Sequence, residues 1–506
     1  MDRGIQKRRL LINAIMSVIQ VVVTSGILFL LYRFLIRTIG VEKLGIWSVV
    51  LSISSVAGIS NLGLSGSVVK FVAKYLARGE QKTTAIVIQT AMISVGIFCG
   101  LILLMVYPFA SWLLSLVISS NNLGEAISIL PYSLISLWIM MIIGTLQSGF
   151  DGSQRISLRS IIIMTSTLLH LILSFVMVPR YGLMGLAYAQ VIQTFMLFVG
   201  SWVILKRIIL MLPIIPCQWN KKIFREMVGY GLNFQVISIT GMLCEPVTKA
   251  LLSKFGGLSM VGFYEMANRM ITQLRSLIVS ANQVLVPAIA DLQERSPNFV
   301  QKVYKDNYYL IFYITLPFYS LIIILIPLIS KILVGHYEDV FVIFSFLLAV
   351  NSFLNILSVP AYFSYLGIGE LKWNTLGHVI PAVMNVGLGF VFGYFYGGMA
   401  VVVAWILSAI SGSVIIAVSY HFRYKIPLSE LIPTQSRKIL LACMFSIFIT
   451  FLLYHQLDRY FNFVNLTTFI LLIFFALVIP FIWYHPMRKR LTSLVANELL
   501  NRSAKL

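Results

Sequence analysis

Five ionisable side chains stand inside otherwise apolar stretches of this sequence, and their spacing limits what they can do. Glu245 and Lys249 are four residues apart, Glu265 and Arg269 are four apart, and Arg275 follows. On a helix, groups four apart share a face, so each of the first two pairs can neutralise itself within its own helix. Alternatively, the same groups can face a polar interior, where cations hold anionic oxygens and carboxylates hold cations or protons. Arg275 has no acidic residue three or four positions away, so its charge needs a partner from elsewhere. Polar residues continue the stripe past Thr272 and Ser276 towards Asn282 and Gln283. Gln235 and Ser238 precede Glu245, and Asn13, Ser17, Gln20 and Thr24 form a third polar face near the N-terminus. The candidate binding set is therefore Arg275, Arg269, Lys249, Glu245, Glu265, Asn13, Gln20 and Gln235.

The elements that carry these groups must span a membrane. Hydrophobic residues make up 59% of the 506 and charged residues 11%, with a mean hydropathy of +0.92, whereas soluble chains hold about 25% charged residues. Apolar runs give fourteen candidate spans between about residues 10 and 484, including 10–32, 228–252 and 261–287, and their lack of alternation predicts helices. The basic N-terminus precedes an apolar run too long for a signal peptide, so it reads as a retained first helix. A charge at the centre of such a helix costs about 2.5–3.5 kcal/mol on insertion scales, so the five groups should face protein or water.

With the N-terminus set inside, 28 of the 38 Lys and Arg residues fall on inner segments, seven on outer ones and three within helices. That bias predicts an even helix number with both ends cytoplasmic. It also explains the net charge of +21 without nucleic acid as a partner. Cys99, Cys217, Cys244 and Cys443 form no paired motif, so neither disulfide nor metal is expected. No GxxxxGK[ST] phosphate loop is present, which argues against ATP as the direct energy source. No loop is long enough for a soluble catalytic domain, so the expectation is no enzyme, no catalytic residue and no cofactor. His170 and His378 read as packing side chains before proton carriers. Asp151, Arg155 and Arg159 read as an inner-face structural cluster, and Pro246 predicts a bend beside Glu245.

A repeat organises the spans. "RTIGVEKLGIW" at 37–47 matches "KFGGLSMVGFY" at 254–264 in its basic, glycine and aromatic positions, and "YGLMGLAYAQ" at 181–190 matches "YGGMAVVVAW" at 396–405. Six helices separate the copies, so both halves insert the same way. This predicts an all-α integral membrane protein with two parallel six-helix lobes, 1–210 and 228–425, around a central cavity. A cytoplasmic linker at 211–227 joins them, and residues 426–506 add two further helices and a tail.

The stretch "RFLIRTIGVEKLGIWSVVLSISSVAGISNLGLSGSVVKFVAKYLARGE" and its echo after residue 254 resemble the polysaccharide or O-antigen-type flippases of the multidrug/oligosaccharidyl-lipid/polysaccharide exporter superfamily. The resemblance covers essentially the whole chain and rests on glycine and aromatic spacings. It implies movement of an undecaprenyl-diphosphate-linked oligosaccharide from the inner to the outer leaflet of a prokaryotic cytoplasmic membrane by alternating access. It also implies a place for the polyprenyl tail beside the second lobe, to which the last two helices are added. Partners would be the lipid-linked cargo, membrane lipids and a coupling proton or sodium ion, with a monomer as the transport unit. An ion-coupled drug/cation antiporter of the same superfamily and a peptidoglycan lipid-precursor flippase are the alternatives, ahead of a polysaccharide polymerase or ligase. Reporter fusions at residues 121, 336 and 430 check the topology. The first two should read as outer and the third as cytoplasmic, and cytoplasmic signals at 121 and 336 would overturn it.

Overall fold

The computed structural model describes residues 3–56, 64–282, 289, 292–293, 297–457 and 463–489. Among them there is no strand. Thirteen α-helices follow in chain order. α1 (Arg3–Val56), α2 (Leu64–Ala77), α3 (Gln81–Val117), α4 (Ser120–Gly152) and α5 (Ile156–Ile208) precede the linker. After it come α6 (Lys221–Gly256), α7 (Leu258–Asn282), α8 (Pro297–Leu333), α9 (Asp339–Ile368), α10 (Lys372–Tyr396) and α11 (Gly398–Arg423). Two short 3-10 turns lead to α12 (Arg437–Leu457) and α13 (Phe463–Tyr484).

Ten helices among the described residues are long and apolar enough to cross a membrane. The difference from fourteen has three sources. α1 and α5 each hold two spans joined at a glycine: α5 has 53 residues, about 80 Å of helix against a hydrocarbon core of about 30 Å. α7 carries Glu265, Arg269 and Arg275 within 25 residues, and the side chains of α6 are described over only part of its length. All fourteen expected segments thus fall on helices, although 57–63 and 283–288, at the ends of two of them, lie outside the described residues.

The repeat is visible in the backbone. Gly40 has φ 83° and ψ 165°, and its counterpart Gly257 has φ 81° and ψ 169°. Gly182 and Gly397, the second matched pair, also have positive φ. A side chain is strained there, so these positions require glycine where one span ends and the next begins. Pro246, by contrast, lies within a helix that continues through it. The breaks at which φ itself leaves the helical region fall at the glycines.

Packing divides the chain into two compact units: residues 1–266 with 382–405, and residues 267–381 with 406–506. In the first, α1 packs on α5 and α6, and α4 on α3 and α5. The linker between α5 and α6 is fixed to α3, because the side-chain carbonyl of Gln89 accepts from the backbone N–H groups of Cys217 and Gln218, both at 3.1 Å. In the second unit, α8 packs on α9, α12 and α13. Tyr308 Oη donates to Leu431 O at 2.8 Å and Lys305 pairs with Glu430. Burial raises the Glu430 carboxyl, but the hydrogen bonds from Lys305 and Tyr309 outweigh it and hold that group below its ordinary range.

A reciprocal contact joins the repeats inside the first unit. A Cβ on Gly45 would lie 1.9 Å from Leu258 O, and one on Gly262 would lie 2.3 Å from Val41 O. Val41 and Leu258 are themselves 217 residues apart, as are Gly45 and Gly262. A self-complementary contact of this kind is what a two-fold relation produces. Gly262→Ala and Gly45→Ala should each lower stability by about 1–3 kcal/mol through forced separation of the helices. Gly26→Ala, with nothing within 4 Å, should be neutral or stabilising by up to about 1 kcal/mol. Thermal melts of the purified variants check both signs.

Candidate functional site

α6 and α7 carry the ionisable groups, and local chemistry places each helix. Asn220 caps α6 by accepting from Lys222 N and Ile223 N, which satisfies two of the N–H groups a helix start leaves unpaired. Gly257 then turns the chain directly into α7. Consequently the last turns of α6 and the first turns of α7 are neighbours, and Lys249 can reach Glu265.

It does so closely. Lys249 Nζ lies 2.5 Å from Glu265 Oε2 and 2.6 Å from Glu245 Oε1. The side chains of Lys249 and Glu265 are each 2% exposed, whereas that of Glu245 is 43% exposed. Glu265 also receives Tyr32 Oη on Oε1 at 3.0 Å and Ser48 Oγ on Oε2 at 2.9 Å. The expected pairing of Glu245 with Lys249 is present, and Glu265 is engaged from α6 and from both spans of α1. Next to Glu245 in the chain, the carbonyl of Cys244 accepts from Asn385 Nδ2 at 3.1 Å and from Thr248 Oγ1 at 2.9 Å. Fixing these polar atoms holds α10 against α6.

The second polar group belongs to the other unit. Arg275 Nε donates to Asn355 Oδ1 at 2.8 Å, and Asn355 Nδ2 donates to Ser413 Oγ at 3.1 Å. Among the described residues no carboxylate lies within ion-pair distance of Arg275. A guanidinium held through Nε alone keeps its two outer nitrogens for an anion, and they can bind paired oxygens in parallel.

The remaining sequence candidates sit elsewhere. Arg269 is exposed on α7, and Gln20 is partly exposed on α1. Asn13 is buried at 4% exposure, with Nδ2 donating to Gln154 O at 3.0 Å and Oδ1 accepting Ser157 N at 3.1 Å. Its amide therefore ties down the turn between α4 and α5, and both ends are occupied there instead of facing a ligand. The side chain of Gln235 lies outside the described residues, as does Gln283. Asp151 and Arg159 form the expected ion pair at the same turn. The sequence reading missed Tyr32, Ser48, Asn355 and Ser413. A signal existed for the first two, since Tyr32 and Lys249, like Ser48 and Glu265, are 217 residues apart.

Membrane-length helices, glycine-bounded repeats and ionised groups held within the spans define a multi-pass, all-α membrane protein with a transporter fold. The fold is similar to that of a lipid II flippase, MurJ, in an inward closed conformation. The TM-score is 0.67 at 14% identity, covering 97% of this chain and all of that one. It is also similar to a multidrug resistance transporter of the MATE family, at a TM-score of 0.64 and 17% identity, covering 82% and 95%. In sequence, a putative O-antigen transporter of Shigella flexneri is 22% identical over 386 residues, which is 74% of this chain and 89% of that protein. The family model described as "Polysaccharide biosynthesis protein" matches residues 10–293, more than half of the chain. The chain belongs to that family.

Removing Lys249 strands the buried carboxylate of Glu265, so Lys249→Met should cost about 3–5 kcal/mol. Glu265→Gln should cost less, because Lys249 keeps Glu245, and the double variant less than the sum of the two. Glu245→Gln, at the more exposed carboxylate, should cost about 1 kcal/mol or less. Thermal unfolding of the four variants in one detergent checks this order.

Proposed function

We propose that this protein is a flippase that carries a lipid-linked oligosaccharide, on an undecaprenyl diphosphate carrier, from the inner to the outer leaflet of the cytoplasmic membrane. Membership of the polysaccharide biosynthesis family and similarity to an O-antigen transporter support the cargo class. The lobes of residues 1–210 and 228–425 expose the cargo alternately to the two sides, with both termini cytoplasmic. The strong bias of Lys and Arg towards one set of segments supports that orientation.

The observation that carries the reading is Arg275, a cation within a membrane-length helix whose side-chain partner is the neutral Asn355. A diphosphate offers several acceptor oxygens that match the guanidinium, while the sugar chain needs neutral hydrogen-bonding groups such as those of Asn355 and Ser413. Arg269, exposed on the same helix, adds positive charge for the cargo. A cationic drug as cargo is less suited, because Glu245 and Glu265 both already hold Lys249.

In cells that depend on this protein for surface polysaccharide, Arg275→Ala should abolish surface polysaccharide and leave lipid-linked oligosaccharide on the inner leaflet. Arg275→Lys should restore only part, since an ammonium cannot form the paired bonds. Normal export by Arg275→Ala at normal protein level would refute the assignment.

A further inference from the structure

Positions 217 residues apart meet at the crossing of α1 and α7. Ser48 and Glu265 are one such pair and hydrogen-bond to each other; Tyr32 and Lys249 are another, and both bind Glu265. The two repeats therefore contribute different chemistry at equivalent places. The first supplies hydroxyls, and the second supplies an acid and a base. Immediately beside them lie the reciprocal close contacts of Gly45 with Leu258 and of Gly262 with Val41. One carboxylate thus holds the place where the two repeats approach through bare backbone.

We propose that Glu265 is a proton-operated latch on this crossing, closed when ionised and released when protonated. As a carboxylate it accepts from Tyr32 and Ser48 and balances Lys249, so three groups from two helices are drawn to one point. Protonation removes the ion pair and turns one acceptor oxygen into a donor, which the two hydroxyls and the ammonium do not complement. Release does not strand the lysine, because Lys249 already touches Glu245 at 2.6 Å and that carboxylate is 43% exposed. Among the described residues, the charged and titratable groups around Glu265 include Lys249 and, beyond it, Glu245 on α6, Tyr32 on α1, and Tyr264 and Arg269 on α7 itself. With the crossing free to part, the equivalent outer ends of the two repeats can separate. The latch would give the transport reading its conformational switch, but its existence is testable without cargo.

The test uses the full chain with Cys99, Cys217, Cys244 and Cys443 replaced and spin labels at Arg37→Cys and Lys254→Cys. These exposed positions are 217 residues apart in the first unit. Distances are read by double electron–electron resonance in lipid nanodiscs at about pH 8 and about pH 4, the latter on the acid side of the ordinary carboxyl value. The expected result is a shift to longer distances at the lower pH. Glu265→Gln should show the longer distances at both values, while Glu265→Asp and Glu245→Gln should keep a pH-driven shift. An unchanged distribution in the parent, or a pH shift that survives in Glu265→Gln, would overturn the latch and leave the cargo reading untouched.

Discussion

Lipid hydrocarbon offers no partner to a charge, so every ionised group placed in the spans of this chain must be met from within the protein or by what it carries. Lys249 shows how demanding this is. Its ammonium is 2% exposed and lies between two carboxylates, one of which is equally buried. Satisfying it requires α6 to turn at Gly257 into α7, and satisfying Glu265 in turn requires both spans of α1 to lie alongside. The placement of four spans follows from neutralising a few atoms.

The glycines are the complement to that requirement. Hydroxyl and carboxylate contacts of 2.9 to 3.0 Å between α1 and α7 need the helix backbones close together, and Gly45 and Gly262 remove the side chains that would hold them apart. Helices in membranes associate through such close approaches, because lipid gives no hydrophobic drive for one apolar surface to seek another. The duplicated glycine pattern and the buried ion pair are therefore parts of one arrangement. The glycines permit the approach, and the charges select which approach is made.

Arg275 stands under the same constraint with a different outcome. Its partner among the described residues is a neutral amide, and no described carboxylate lies within ion-pair distance of it. A structural ion pair and a ligand-holding cation look alike in composition, and they separate only when the partners are known. Ten residues beyond Glu265, Arg275 stands on the same 25-residue helix with Asn355 as its partner among the described residues.

The sequence by itself determined the class of protein. Apolar length, absence of alternation and the echoes at 217 and 215 residues were enough to place helices on all fourteen segments and to mark Gly40, Gly182, Gly257 and Gly397 as paired positions, because these are one-dimensional signals of span and repeat. It also determined that Glu245 and Lys249 could pair, since neighbours on one helix can be read from spacing. Only the tertiary structure decided that Glu265 binds Tyr32, Ser48 and Lys249, that Asn13 secures the turn near Gln154, and that Asn355 and Ser413 stand behind Arg275. Those partners come from helices distant in the chain. In a bundle whose outer surfaces are uniformly apolar, the sequence pattern does not say which faces meet; backbone turns and the cost of an unmet charge do.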